Sequence, residues 1–251
     1  MRDEYVDVGV LRFSRWIFNC YVIEDGGAGQ PVVVDVGITS NGVASAEHFA
    51  GRRLDDPLTV LATHAHSDHV SGLMALADRT AVQLHLPVKD RDYFAGEKPR
   101  TPTMKVAARI MPVIRDARFS FRALSEFLSG GRHAGFGSSS PFQMPLQAAS
   151  YLTDGDPVPG APDWVIIHTP GHTDDSTSFY NEASRTLFSG DAVLTVKGRP
   201  WFTPEFVDET LMARTEDKLR KLRVDHLFPG HGHPVHGQDV LSDAIPHLEK
   251  P

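Results

Sequence analysis

Residues 61–73 read LATHAHSDHVSGL. The apolar run LTVLATH (58–64) leads into this stretch as a short buried strand, and DHVSGLMALA (68–77) leads out with the spacing of an amphipathic helix. Between them His64, His66, Asp68 and His69 fall within six positions. His64 and His66 are two apart, so in an extended segment both rings point to one side and can reach one ion. Asp68 and His69 follow after the chain has begun to turn, which aims them at a neighbouring point. One segment thus offers ligands to two adjacent metals. A strand-to-helix junction suits that task, because the strand end is rigid and the loop converges its side chains.

A zinc site takes about four ligands, and a catalytic one keeps a position for water, so further ligands must come from elsewhere. Three later loops offer them: His172 in TPGHT (169–173), Asp191 in SGD (189–191) and His231 in FPGHG (228–232). Each follows a glycine near an apolar strand end, where the backbone can bend tightly and leave room around the ligand.

The strand pattern extends in both directions. RWIFNCYVIED (15–25) and QPVVVDVG (30–37) read as a hairpin-like pair, and AVQLHLP (81–87) as another strand. Regular strand signals return in DWVIIHTPGHT, STSFYNEAS and TLFSGDAVL, followed by a helix over DETLMARTEDKLRKL (208–222) and a strand in VDHLFPGHGHPV (224–235). Between the two halves, residues 88–160 change to glycine, proline, serine and a helical segment. There Ile110, Ile114, Phe121, Leu124 and Leu128 are expected on one helical face, with Arg115, Arg118 and Arg122 interleaved and Pro112 marking a start or kink. The segment reads as a core-packed helix with a basic face, a lid or pocket wall, or a subunit contact. Its basic excess suits an anionic or amphipathic substrate.

Taken together, these residues resemble the metallo-β-lactamase superfamily of hydrolases, whose H-x-H-x-D-H hallmark is matched by His64, His66, Asp68 and His69, with His172, Asp191 and His231 at the other ligand positions in order. The resemblance implies an α+β four-layer αββα sandwich: one domain over 1–251, with 88–160 as a partly helical insertion. It assigns His64, His66 and His172 to one metal, Asp68, His69 and His231 to the second, and Asp191 as a bridge. Two zinc ions are expected, with iron or manganese as alternatives, since imidazole and carboxylate suit all three. Two dications lower the pKa of a shared water from about 16 toward 7, supplying hydroxide at neutral pH. Asp68 is the expected catalytic residue, holding its metal and orienting the nucleophile.

Composition narrows the functions. With a formal net charge of -7 the chain has no broad positive field for phosphate backbones, so no nucleic-acid partner is expected. Acids in MRDEYVDVGVLRF, no apolar run of spanning length and a lone Cys20 predict a cytoplasmic protein with no membrane partner and no internal disulfide. The leading reading is a dinuclear hydrolase of a small-molecule ester, thioester or lactone. Alternatives are a mononuclear iron-dependent persulfide dioxygenase, a β-lactam or phosphodiester hydrolase, and a binding protein with a structural metal. Within the superfamily, glyoxalase II adds a C-terminal helical domain for which the segment after His231 is too short, and homoserine lactonases carry a tyrosine where this chain has Leu194. A homodimer is compatible with the sequence.

Overall fold

The computed structural model describes residues 1–27, 29–137 and 140–251. The chain opens with four antiparallel neighbours: β1 (Arg2–Tyr5), β2 (Val10–Arg15), β3 (Phe18–Ile23) and β4 (Val32–Val34). Helix α1 (Thr39–Phe49) crosses to β5 (Leu58–Leu61), and the short helices α2 (Ser67–Val70) and α3 (Leu73–Ala77) cross to β6 (Val82–Pro87). Strands β4, β5 and β6 are parallel, as crossover connections require. Next come α4 (Asp90–Phe94), α5 (Met104–Ala107), α6 (Met111–Asp116), α7 (Phe121–Gly130) and a small ribbon of β7 (Gly135–Gly137) and β8 (Ser140–Gln143). Strand β9 (Ala148–Leu152) then completes the seven-stranded sheet beside β6.

The second sheet contains β10 (Pro157–Val158), β11 (Ala161–His168), β12 (Thr177–Asn181), β13 (Thr186–Gly190), β16 (His226–Pro229) and β17 (Val235–His236). The ribbon β14 (Val193–Val196) and β15 (Arg199–Phe202), with α8 (Glu209–Leu219), joins β13 to its parallel partner β16.

Alternation explains the layers. On β3 and β4, Cys20, Val22 and Val33 face α1 and α3, while Tyr21, Ile23, Val32 and Val34 face the other sheet. Both faces are covered, so these strands read as unbroken apolar runs. Phe179, Phe188 and Phe228 fill the space between the sheets from the second side, each burial contributing roughly 1.5–3 kcal/mol. Met212 and Leu219 of α8 cover the outer face of the second sheet against Leu187 and Leu227. The order helix, sheet, sheet, helix is therefore the four-layer sandwich expected from the sequence.

Two local expectations are corrected. The helix expected over 68–77 is two helices, because the Gly72 amide donates to the Gly37 carbonyl at 2.9 Å rather than continuing the helical ladder. A Cβ on Gly72 would lie 2.3 Å from the Val36 oxygen, so only glycine permits this approach. The stripe expected from Ile110 to Leu128 is also split. Ala117 is extended, and the Ser120 hydroxyl caps a new helix by accepting the Ala123 amide at 3.2 Å. Ile110, Ile114 and Leu124 consequently face inward, whereas Phe121 and Leu128 are exposed. Pro112 does mark a start, in the first turn of α6.

Two carboxylates pin this helical segment. Glu126 on α7 accepts the Ser40 amide of α1 at 3.0 Å, and Asp116 at the end of α6 accepts the Lys197 amide of the β14–β15 turn at 2.7 Å. No helix among the described residues is long and apolar enough to cross a membrane.

Candidate metal centre

Strand ends and one loop converge on a single point. His64 lies three residues beyond β5, and His66 precedes α2 in extended backbone. Asp68 and His69 occupy the short helix α2, His172 the β11–β12 loop, Asp191 the residue after β13, and His231 the second residue after β16. The ligand atoms of His64, His66 and His172 lie within 4.8 Å of one another; so do those of His64, His69 and Asp191, and those of Asp68, His69 and His231. All seven residues singled out from the sequence are thus brought together. Asp191 touches both sets, with Oδ2 3.5 Å from His172 Nε2 and 3.1 Å from His231 Nε2.

The glycines before the later ligands have a steric reason. A Cβ on Gly230 would stand 2.2 Å from Asp191 Oδ1, one on Gly190 2.7 Å from the Thr63 side chain, and one on Gly171 2.5 Å from the α8 backbone at Met212. Only hydrogen side chains let these loops pack so closely.

Hydrogen bonds at the far nitrogens set the tautomers. His172 Nδ1 donates to the Glu205 carbonyl at 2.8 Å and His231 Nδ1 to the Ile17 carbonyl at 3.1 Å, which leaves each Nε2 facing the cluster. Asp35 organises the other pair. Its Oδ2 accepts from the Thr63 hydroxyl and from His69 Nδ1, both at 2.8 Å, and its Oδ1 accepts the Thr63 amide at 2.8 Å. Because the Thr63 hydroxyl donates to Asp35, it accepts from His64 Nδ1 at 3.1 Å. One buried carboxylate therefore orients two rings. The sequence reading overlooked Asp35; its signal was an acid closing a wholly apolar strand in VVVD.

The same geometry tests the fit of a metal. His64 Nε2, His69 Nε2 and Asp191 Oδ1 are buried without hydrogen-bond partners. Each such orphan costs about 1–3 kcal/mol unless something satisfies it. His69 Nε2 and Asp191 Oδ1 stand 3.4 Å apart as a charge pair outside hydrogen-bond geometry, and His172 Nε2 faces His66 Nδ1 at 3.2 Å. Lone pairs of imidazole and carboxylate converging in this way suit a cation.

Charge divides the cluster in two. Burial, then the neighbouring rings, hold His64 and His66 below the ordinary histidine range, His66 at about 3. Burial also lowers His172 despite the opposing pull of Asp191. These three rings are held neutral. On the other side burial works against charge but loses. Asp191 and Asp35 raise His69, Asp191 and Asp68 raise His231 to about 10, and the His231 hydrogen bond with nearby imidazolium charge brings Asp68 to about 2.

Above the cluster lies a cavity of about 290 Å³. Its floor holds His66, Asp68, His172, Asp191 and His231; its walls include Trp16, Phe18 and Phe136, and the helical segment 104–130 contributes Ile110, Ile114, Leu124 and Phe127. Glu205 also lines it. Burial and the charges of Asp191 and Asp68 push its carboxyl up to about 8. Trp201 and Phe202, just before it in the chain, are core residues. Neither Tyr151 nor Tyr180 lines the cavity, and the Tyr180 hydroxyl donates to the Arg223 carbonyl. His233 lies apart from the cluster, with Nδ1 3.2 Å from the Arg12 guanidinium.

Comparison with known proteins agrees with this geometry. The profile described as Metallo-beta-lactamase superfamily matches residues 15–231. The chain is 27% identical over 205 residues to the probable metallo-hydrolase YflN of Bacillus subtilis, covering 73% of this chain and 67% of that protein. It is 25% identical over 243 residues to the human acyl-coenzyme A thioesterase MBLAC2, covering 89% and 77%. The crystal structure of TTHA1623 in a di-iron-bound form superposes with a TM-score of 0.56 at 22% identity, covering 90% of this chain and 92% of that one. Histidines and aspartates gathered at strand ends, four layers and a match over most of the length agree, and the chain belongs to the metallo-beta-lactamase superfamily.

Proposed function

We propose that this protein is a dinuclear metal-dependent hydrolase of an ester, thioester or lactone. The observation that carries the reading is a pair of three-ligand groups joined through Asp191, with orphaned lone pairs facing an open cavity. His64, His66 and His172 would hold one ion and Asp68, His69 and His231 the other, with Asp191 between them; zinc is proposed, and the di-iron form of TTHA1623 makes iron the main alternative. Bound ions supply an activated water and polarise the scissile carbonyl.

The chain's own groups do the rest. Hydrolysis places the water oxygen on the acyl carbon, breaks the acyl C–O or C–S bond and sends a proton to the leaving group. Asp68 lines the cavity with its carboxylate 3.2 Å from His231, and we assign to it the relay of that proton to the leaving group. Glu205 and Ile17 fix His172 and His231 through backbone carbonyls. Apolar walls exclude bulk water. The MBLAC2 relative, named as an acyl-coenzyme A thioesterase, supports the acyl-transfer class.

The test is elemental analysis of the isolated protein, followed by ester, thioester, lactone, phosphodiester and β-lactam substrates with Asp191→Ala as control. Two equivalents of metal and Asp191-dependent turnover of an acyl substrate are expected. A protein that binds no zinc, iron or manganese overturns the reading.

A further inference from the structure

The cavity is chemically lopsided. Metal-ligand side chains lie at its floor, and beyond them the walls are hydrocarbon: Trp16, Ile110, Ile114, Leu124, Phe127 and Phe136. None of the described residues lining it is lysine or arginine, while three are carboxylates: Asp68, Asp191 and Glu205. A substrate anion lodged away from the floor would therefore lose its water and gain no counter-charge, whereas each methylene moved there leaves water for apolar contact.

Aromatic rings extend that wall outward without a gap. Phe18 meets His231 edge-on at 5.6 Å and stacks on Phe127 at 5.5 Å. Trp16 meets Phe18 edge-on at 5.7 Å, Phe119 meets Trp16 at 5.2 Å, and Phe121 meets Phe119 at 4.8 Å. Phe121 itself is 82% exposed. This line of rings runs from a ligand histidine to solvent. Trp16 sits in the tight β2–β3 turn at φ 57°, a left-handed conformation that a bulky side chain enters only at a cost. The fold retains that strain where it places an indole on the cavity wall.

We propose that the cavity takes the acyl portion of the substrate as an uncharged hydrocarbon chain, lodged between Trp16 and the insertion residues Ile110, Ile114, Leu124 and Phe127, and that it rejects acyl groups ending in a carboxylate. This rests on the hydrolase reading and narrows it to neutral aliphatic acyl esters, thioesters or lactones. Of the two substrate types that the basic insertion suggested, anionic or amphipathic, it favours the amphipathic one: the arginines of α6 and α7 do not line the cavity.

Linear methyl ketones test the assignment, because they present a carbonyl and a chain but no leaving group. Of the three tryptophans only Trp16 lines the cavity, so its fluorescence in the zinc-loaded protein reports binding. From 2-pentanone to 2-nonanone the affinity should rise about fourfold per added methylene. An ω-carboxylate on the longest chain should weaken binding at least about tenfold. Ile114→Asp should flatten the series, with the milder Leu124→Gln as the second variant should the first fail to melt cooperatively. A flat series in the unmodified protein, or equal binding of the ω-carboxylate, overturns the proposal. A rising series without turnover of any acyl substrate supports the cavity assignment and overturns the hydrolase reading, while turnover indifferent to chain length does the reverse.

Discussion

Replacing Asp35 by asparagine isolates the support of the cluster at one atom. Asn tolerates the left-handed backbone of this position, φ 52°, and matches the carboxylate in shape. One oxygen, however, becomes a donor. If the new NH2 takes the place of Oδ2, it confronts the hydroxyl of Thr63 and Nδ1 of His69, which now accept from that side. The proton of His69 then moves to Nε2, and Thr63 turns its hydroxyl hydrogen to His64 Nδ1, moving that ring's proton to Nε2 as well. Both rings would present N–H where a metal needs a lone pair. If the amide instead turns over, its NH2 opposes the buried Thr63 amide across 2.8 Å and leaves that donor unsatisfied.

The first arrangement should weaken metal binding by about 10–100-fold, or about 1.4–2.7 kcal/mol. The second should remove about 1–3 kcal/mol of stability, which for a domain of this size lowers Tm by about 2–4 °C per kcal/mol. The assay pairs a competitive zinc titration with thermal melting of the metal-free protein. A loss in at least one readout is expected. An Asp35→Asn protein with both unchanged would refute the account of how His64 and His69 are held.

Three further outcomes follow from the cluster. For His231, burial opposes the charge but Asp191 and Asp68 raise the pKa to about 10, above the usual 6.5. Its contribution to metal-free stability is complete below about pH 6.5 and lost as pH rises through about 10, while metal, which must displace that proton, binds more tightly over the same interval. Melting temperature and zinc affinity measured across that window should therefore slope in opposite directions, and parallel slopes contradict the assignment. Gly230→Ala should lose metal binding by at least about tenfold through the 2.2 Å clash with Asp191, without the fold-wide loss a core cavity causes; zinc titration with circular dichroism distinguishes the two. Asp68→Ala should cut kcat by about 10²-fold or more while the protein still folds, and undiminished turnover removes the proton-carrying role.

Much of this architecture was readable because its signals are local. Val32–Val34 and Leu58–Leu61 announce strands buried on both faces, and three of the seven candidate ligand positions, His172, Asp191 and His231, follow glycines that the structure shows to be sterically obligatory. What escaped depends on distant neighbours. Asp35 matters only because β4 lies beside β5, which carries Thr63 and His64 to its carboxylate. Glu205 reaches the cavity through the path of the chain after β15. The break between Ile114 and Phe121 came from Ser120, whose capping competes with the apolar periodicity that suggested one continuous helix.

The two clips on the insertion give it a mechanical role. Glu126 fastens α7 to the helix layer on the first sheet, and Asp116 fastens α6 to a ribbon that continues from the second. The hydrocarbon wall is thus a bridge with one foot on each half of the sandwich. Fastened at both ends, the wall is held over the cluster by contacts to the same two halves of the sandwich that carry the converging loops.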